Sequence, residues 1–201
     1  MPDYTIEDFS KYKQYLNTIN VVLERYFEDQ KEYLRCKAGC SHCCEHGDYP
    51  FSELEFQYML LGFFRIDPQE QKEVIKRIQA LKEEYAKLED KKEFSHRCPF
   101  LSEKGICTIY EYRGLICRTF GLITKHESGK YTIPFCQELG LNYAEVYDSE
   151  NKVLDYDKVK ELGYKNLPNA YRTNLKALTS EELFECEPLD FGQIHPMMHW
   201  L

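Results

Sequence analysis

The sequence predicts a mainly α protein with a small, irregular, cysteine-rich module that includes a β-hairpin. This is an α+β chain whose long amphipathic N-terminal helices pack against the module. Three observations carry the reading. Apolar residues recur at helical spacing through about residues 6–34 and again through about 69–92. Beyond residue 98, turn residues and short β-branched or aromatic runs replace that periodicity. Eight of the nine cysteines fall between Cys36 and Cys136. A chain of 201 residues is long enough for one good hydrophobic core. It therefore reads as a single domain, 1–201, with residues 36–136 as its cysteine-cluster core.

The first helix, about 6–34, opens on Thr5, with Asp8 three residues on as a weaker form of the reciprocal cap. Phe9, Leu16 and Leu23 repeat every seven residues, as do Tyr12, Ile19, Tyr26 and Tyr33. Together the two rows make one apolar stripe, which predicts core packing. Cys40 continues the Tyr26–Tyr33 row. Cys36, Cys40, Cys43 and Cys44 stand at i, i+4, i+7 and i+8, one face of a helix if the helix persists. Gly39 and the dense Cys-Ser-His-Cys-Cys run suit a loop or frayed turn equally well.

Pro50-Phe51-Ser52 opens a second helix, capped by Ser52 with Glu55 reaching back, that runs to about Phe64. Asp67 caps a third, about 69–92, with Pro68 in the first turn, where its missing N–H does no harm. Val74, Ile75, Ile78, Leu81, Tyr85 and Leu88 form its buried face. Lys and Glu cover the other side at i,i+4 spacing. Cys98-Pro99-Phe100-Leu101 reads as a tight turn and Lys104-Gly105 as another. Residues 106–120 read as short strand or helix pieces wrapped around a site. Leu122 to Phe135 predicts a hairpin with His126–Lys130 as its turn. Helices near 156–163 and 180–186 complete the expectation.

Apolar residues at 43% and charged residues at 30% are ordinary for a globular protein. Sixteen Tyr and twelve Phe bring a large buried area. The formal net charge of −8 argues against a nucleic-acid partner, which demands a basic surface. No stretch approaches the roughly 18 apolar residues of a membrane span. The N-terminus has neither the basic start nor the apolar run of a secretory signal. The expectations are no nucleic-acid partner, no membrane partner and a cytoplasmic location. In a reducing compartment, clustered cysteines serve metals or catalysis more often than cross-links.

A chain of this size does not need disulfides to fold, so its cysteines need another reason. Thiolates are soft ligands for zinc, copper(I) and iron–sulfur clusters. Cys36, Cys40, Cys43 and Cys44, with Cys98, Cys107, Cys117 and Cys136, are the candidate metal ligands. They are enough for two four-sulfur sites, or for one site with thiols left over. The Cys40-x-x-Cys43 gap suits a zinc knuckle or an iron–sulfur loop. Adjacent Cys43 and Cys44 point to opposite faces of an extended backbone, which favours division between two jobs. The later four converge only through tertiary structure.

Three segments together carry a family resemblance: Cys36-x3-Cys40-x2-Cys43-Cys44, Cys98-Pro99-Phe100-Leu101, and Cys107-Thr108-Ile109-Tyr110-Glu111-x-Arg113-x3-Cys117-Arg118. The pattern resembles the bacterial YkgJ-like cysteine-cluster family, described as a zinc- or iron-chelating domain, from about Cys36 to Phe120 and on toward Cys136. The resemblance implies a metal-binding bacterial protein whose partner is a metal ion and whose cofactor is zinc or iron, an iron–sulfur cluster included. Related clusters occur in flagellin lysine N-methylases, which look like iron–sulfur proteins using S-adenosylmethionine. No motif for that cofactor is evident here, and no methylase site is carried over. Where the family usually has Arg-Pro, this chain has Arg113-Gly114; glycine leaves free a turn that proline would fix.

Arg113 and Arg118 lie near Cys107 and Cys117. They either offset thiolate charge, bind an anion through forked hydrogen bonds, or form surface ion pairs with Glu111 as a partner. His42 and His46 flank the first cluster as replacement ligands. His195 and His199, four apart, suit a shared metal on a helix, while Pro196 favours a tail that docks Met and Trp on the core. Cys186 has no nearby partner in sequence. Three functions follow. One, metal storage or delivery, would need labile, exposed thiolates, and the buried helix stripe leading into Cys40 argues against it; the other two are these. The metal is mainly structural and holds the 98–136 module; or the chain is a metal- or iron–sulfur-dependent redox or modification enzyme, related to protein lysine methylation, whose catalytic residues the sequence does not name.

Overall fold

The computed structural model describes residues 4–37, 39–91, 94–125, 131–148, 150–151, 153–165, 168–180 and 188–201. Its helices are α1 (Ile6–Asp29), α2 (His42–Glu45), α3 (Glu53–Phe63), α4 (Pro68–Ala86), α5 (Leu115–Thr119), α6 (Tyr156–Glu161), α7 (Leu175–Leu178) and α8 (Met197–Trp200). Its strands are β1 (Pro50–Ser52), β2 (Thr124–Lys125), β3 (Tyr131–Thr132), β4 (Tyr147–Asp148), β5 (Val153–Leu154) and β6 (Ile194–Pro196). They pair antiparallel as β1–β6, β2–β3 and β4–β5. The fold is α+β, as the sequence predicts. No helix among the described residues is long and apolar enough to cross a membrane. The chain divides into two compact units. The first holds Met1–Lys13, Gly39–Arg118 and Glu187–Leu201; the second holds Gln14–Ala38 and Thr119–Cys186.

In the first unit the predicted caps form. The Thr5 N–H and hydroxyl donate to Asp8 Oδ2 at 2.8 and 2.7 Å, and the Asp8 N–H returns to Thr5 Oγ1 at 3.2 Å. At α3 the Ser52 N–H and hydroxyl donate to Glu55 Oε2 at 2.9 and 2.7 Å, and the Glu55 N–H donates to Ser52 Oγ. Glu55 does more than cap. Its other oxygen accepts the Leu115 N–H at 2.7 Å, so one fully buried carboxylate ties the start of α3 to the start of α5. Burial pushes this carboxyl upward in pKa, opposed by those hydrogen bonds and by Arg118.

Pro50–Ser52 is a strand rather than the first turn of a helix. Its register with β6 is Pro50 to Pro196, Phe51 to His195 and Ser52 to Ile194, a partner too distant in sequence for local propensity to reveal. The tail docks: Met197 and Met198 are buried, and Trp200 Nε1 donates to the Phe51 and His195 carbonyls at 3.0 and 3.2 Å. The core of this unit is Phe51, Met59, Val74, Phe100, Ile109 and Met197, with Cys98, Cys107 and Cys117 packed against it. Helix α4 begins on the predicted Asp67 cap, which accepts the Gln69 N–H at 2.8 Å, but ends at Ala86 rather than near 92. Its buried face is narrower than expected. Val74 is fully buried, whereas Ile75, about 100° further round the helix, is 44% exposed.

In the second unit Tyr15, Leu16, Ile19 and Leu23 bury the α1 stripe, and Tyr26 stacks on Tyr171 with ring centroids 3.6 Å apart. The α-helix stops at Asp29, short of the predicted 34, and a 3-10 turn follows over Lys31–Tyr33. Beyond that turn the backbone donors go to a side chain from another segment. The N–H groups of Arg35 and Cys36 both go to Asn142 Oδ1, at 2.7 and 3.1 Å. Gln30, fully buried, accepts from the Ile123 N–H and the Tyr143 hydroxyl and donates to the Asn169 carbonyl. Strands β2 and β3 form the predicted hairpin. Its turn at His126–Lys130, most of the helix expected near 180–186, and Cys186 lie outside the described residues. Helix α6 matches its expectation and is capped by Asp155.

Gly114 explains the departure from Arg-Pro. Its φ is not in the left-handed region, so backbone freedom is not the reason for glycine here. A Cβ there would lie 2.6 and 2.7 Å from Phe51 ring carbons and 3.0 Å from Glu55 Oε1. We expect Gly114→Ala to lower stability by about 1–3 kcal/mol through overpacking. The readout is the urea midpoint of unfolding; an unchanged midpoint would refute the close approach.

Candidate metal centre

Four cysteines of the first unit, Cys44, Cys98, Cys107 and Cys117, are carried by separate pieces of chain. Cys44 lies on α2. The Cys98 N–H donates to the Cys44 carbonyl at 2.7 Å, which joins the α2 segment to the turn at Cys98-Pro99. From there the chain doubles back. Leu101 bridges Cys107 antiparallel, Ser102 N–H donates to the Ile106 carbonyl at 2.9 Å, and Gly105 closes the turn at φ +72°. Cys98 and Cys107 thus stand on the two arms of one short ribbon. Cys117 is carried by α5, whose start is fixed by Glu55. Burial, chiefly, and mutual charge govern these groups. Cys44 and Cys107 act on Cys98, Cys44 acts on Cys107, and Cys98, Cys44 and Cys107 act on Cys117.

Desolvation pushes the Cys98 thiol up to about 12, Cys107 upward, and Cys117 well above the usual thiol range. Backbone amides work against this. Main-chain N–H groups of Phe100 and Leu101 draw the Cys98 thiol downward, and that of Ile109 the Cys107 thiol. Cys44 moves the other way, down to about 7, first through its contact with Cys43 and also through Arg97, against burial and Glu45. The Cys43 and Cys44 sulfurs are 4.0 Å apart.

Arg97, which sequence reading passed over, is clamped beside the set. Its Nε donates to Glu45 Oε2 at 2.9 Å, and its two Nη groups to the Leu101 and Ser102 carbonyls at 3.0 and 2.7 Å. The one available signal was its position next to Cys98. Arg113 lies 3.6 Å over the Tyr110 ring, donates to the Tyr110 carbonyl, and draws the Cys107 thiol downward. Arg118 is 8% exposed and donates to the Arg113 and Glu111 carbonyls at 3.0 and 2.8 Å. It therefore holds the loop that leads to Cys117, and its contact with Glu111 is to the main chain.

The other candidates stand elsewhere. Cys40 is exposed, while Cys43 is part-buried beside Cys44. Cys36 and Cys136 belong to the second unit. There the Asn142 side-chain amide donates to the Cys36 sulfur at 3.3 Å, Cys136 is buried, and both raise the Tyr143 phenol further than burial alone. None of these eight cysteines forms a disulfide. His42 and His46 are exposed. His195 is in β6, its ring stacked on His199 at 3.8 Å. Among the described residues no group of three or more His, Cys, Asp or Glu side chains is arranged to hold a metal ion as it stands. The chemistry of the inner set nonetheless fits one: four soft donors, no cross-link, and main-chain N–H groups that draw two of the thiols downward.

The family model CxxCxxCC, described as a putative zinc- or iron-chelating domain, matches residues 35–137, half of the chain. The family name spells two residues between its first and second cysteines, where this chain has the three residues Lys37-Ala38-Gly39. No curated protein and no solved structure matches the chain.

The raised thiols give the metal-free chain a pH dependence of definite sign. The folded chain holds the protons of Cys98, Cys107 and Cys117 more tightly than free thiols, whose usual value is 9.0. Their contribution to stability is fully present below that value and is lost as pH rises toward about 12, because the unfolded chain then binds fewer protons. Equilibrium unfolding of reduced, metal-free protein should show a midpoint that falls across this window; a midpoint that rises there would contradict the burial of these sulfurs.

Proposed function

Since the chain belongs to the CxxCxxCC family of zinc- or iron-chelating domains, we propose that it chelates its metal in the first unit through Cys44, Cys98, Cys107 and Cys117. The observation that supports this most is that Cys98, Cys107 and Cys117 pack on one apolar core while the Cys98 N–H donates to the Cys44 carbonyl at 2.7 Å. Four separated segments gather groups that gain nothing from each other as neutral thiols and repel as thiolates. A cation reverses the sign of that interaction. Amide hydrogen bonds to a charged acceptor are roughly twice as strong as to a neutral one, so the N–H groups at Cys98 and Cys107 favour the ligating, ionised form. A tetrathiolate around a divalent ion keeps two negative charges, and Arg97 and Arg113 lie where they reduce that excess.

The role that follows is mainly structural. Cys98, Cys107 and Cys117 pack on the core of their unit, and chelation would tie α2, the 98–107 ribbon and α5 together at one point. Structural zinc supplies about 10–16 kcal/mol in small metal domains, comparable with the whole stability of an ordinary fold, about 5–15 kcal/mol. Bound there, zinc would supply a fixed positive centre, and iron a redox couple as well. Sulfur ligation suits both.

Anaerobic purification followed by elemental analysis and a visible spectrum tests the reading. A colourless protein with stoichiometric zinc, or a coloured one with iron, is expected, and labile sulfide would identify a cluster. Cys98→Ser and Cys117→Ser should each lower the metal content sharply, whereas Cys136→Ser should retain it. Removing the metal with a chelator should lower the melting temperature. Full metal retention in both Cys98→Ser and Cys117→Ser would overturn the ligand assignment.

A further inference from the structure

We propose that the first unit binds a hard divalent cation, calcium, between Glu53 at the start of α3, Asp190 and the hydroxyl of Tyr4. The site is built from oxygen donors and stands apart from the thiols. Glu53 is the first residue of α3 and is 4% exposed. Its Oε1 is buried and accepts no hydrogen bond among the described residues, and the Tyr4 hydroxyl is likewise buried without a hydrogen-bond partner there. A carboxylate oxygen taken out of water without a donor is costly. Solvent does not reach either atom to offset that cost.

The backbone brings the two groups together. The Glu53 and Leu54 N–H groups donate to the Gln193 and Phe191 carbonyls at 2.9 and 3.3 Å, which lays residues 191–193 across the start of α3. Gly192 lies between those two acceptors, in the left-handed region at φ +64°. A Cβ built on it would stand 2.7 Å from the Tyr4 hydroxyl oxygen and 2.8 Å from Glu53 Oε2. Both side chains thus close on one point that a residue without a side chain leaves open. Asp190 is at the rim. It is exposed, and its Oδ1 accepts the Gly192 N–H at 2.9 Å. Burial first, then Asp190, Glu53 and Asp8, push the Tyr4 phenol up to about 12, so negative charge converges on that hydroxyl.

A hydrogen-bond donor satisfies one oxygen, whereas a cation satisfies several at once. Carboxylate and hydroxyl oxygens are hard donors, which suit calcium, magnesium or manganese rather than thiophilic metals. Calcium takes about six to eight oxygens in a flexible shell, while magnesium holds on to several waters. Two of the oxygens here are shut off from water, which favours calcium. Glu53 and Asp190 supply the charge and the neutral Tyr4 hydroxyl a lone pair. With fewer than three acidic side chains, the shell is completed by water on the exposed Asp190 side. So few charges place the dissociation constant in the weak range, about 0.1–1 mM.

The test uses the full chain in calcium-free buffer, with calcium chloride alone as the probe. Titration calorimetry and the melting temperature are followed on wild type, Glu53→Gln, Asp190→Asn and Tyr4→Phe. We expect one saturable calcium site in wild type and a melting temperature that rises with calcium. Glu53→Gln and Asp190→Asn should each weaken binding at least tenfold, and Tyr4→Phe several-fold. Asp190 is exposed, so its variant remains informative where Glu53→Gln does not fold. No saturable binding by wild type up to about 10 mM, well above the expected range, would overturn the proposal. Wild-type affinity in either folded carboxylate variant would overturn it as well. A magnesium response of equal size would mark general screening of an acidic surface and overturn it equally.

Discussion

Packing the sulfurs of Cys98, Cys107 and Cys117 against one apolar core leaves them two states: they keep their protons, or they meet a cation. Burial enforces the choice. A thiolate moved out of water loses solvation that only an opposite charge or directed hydrogen bonds can replace. In this chain burial raises the thiols of Cys98, Cys107 and Cys117, while main-chain N–H groups at Cys98 and Cys107 lower the cost of ionisation. The site thus opposes charge in the absence of a counterion and is prepared for it in the presence of one.

That preparation is built from few regular elements. The ribbon bearing Cys98 and Cys107 depends on a glycine turn and a handful of main-chain bonds. The helix bearing Cys117 is five residues long and would be marginal in isolation. Its position comes from Glu55, which spends one carboxylate oxygen on its own helix cap and the other on the Leu115 N–H. Gly114 lets this junction close onto Phe51, and Arg118 fastens the preceding loop through two carbonyls. A capping residue, a glycine and an arginine thereby act together to place a single sulfur.

Charge is graded around the same point. Arg97 and Arg113 bear on Cys44 and Cys107 from the periphery, where they temper a surplus of negative charge without occupying a ligand position. In the second unit Cys36 and Cys136 stand in a different setting. Cys36 is held by the buried amide of Asn142 and Cys136 is enclosed near Tyr143. The adjacent cysteines Cys43 and Cys44 lie on one helix with their sulfurs 4.0 Å apart, rather than on the opposite faces an extended backbone would give them.

Much of this was legible in the chain itself. The stripe of α1, the Thr5, Ser52 and Asp67 caps, the Lys104-Gly105 turn, the 122–135 hairpin and the family motif all depend on neighbours within a few residues, where side-chain spacing and backbone preference act directly. What sequence could not supply were partners brought from a distance. Asn142 takes the Arg35 and Cys36 N–H groups beyond the end of α1, β6 turns Pro50–Ser52 into a strand, Phe51 makes Gly114 a matter of space, and Arg97 stands by Cys44 rather than only beside Cys98 in the chain. The grouping of the eight cysteines belongs to the same class. Their number and softness, set by composition, pointed to metal; which of them meet is a property of three-dimensional packing, because charge coupling and burial depend on distance through space and not along the chain.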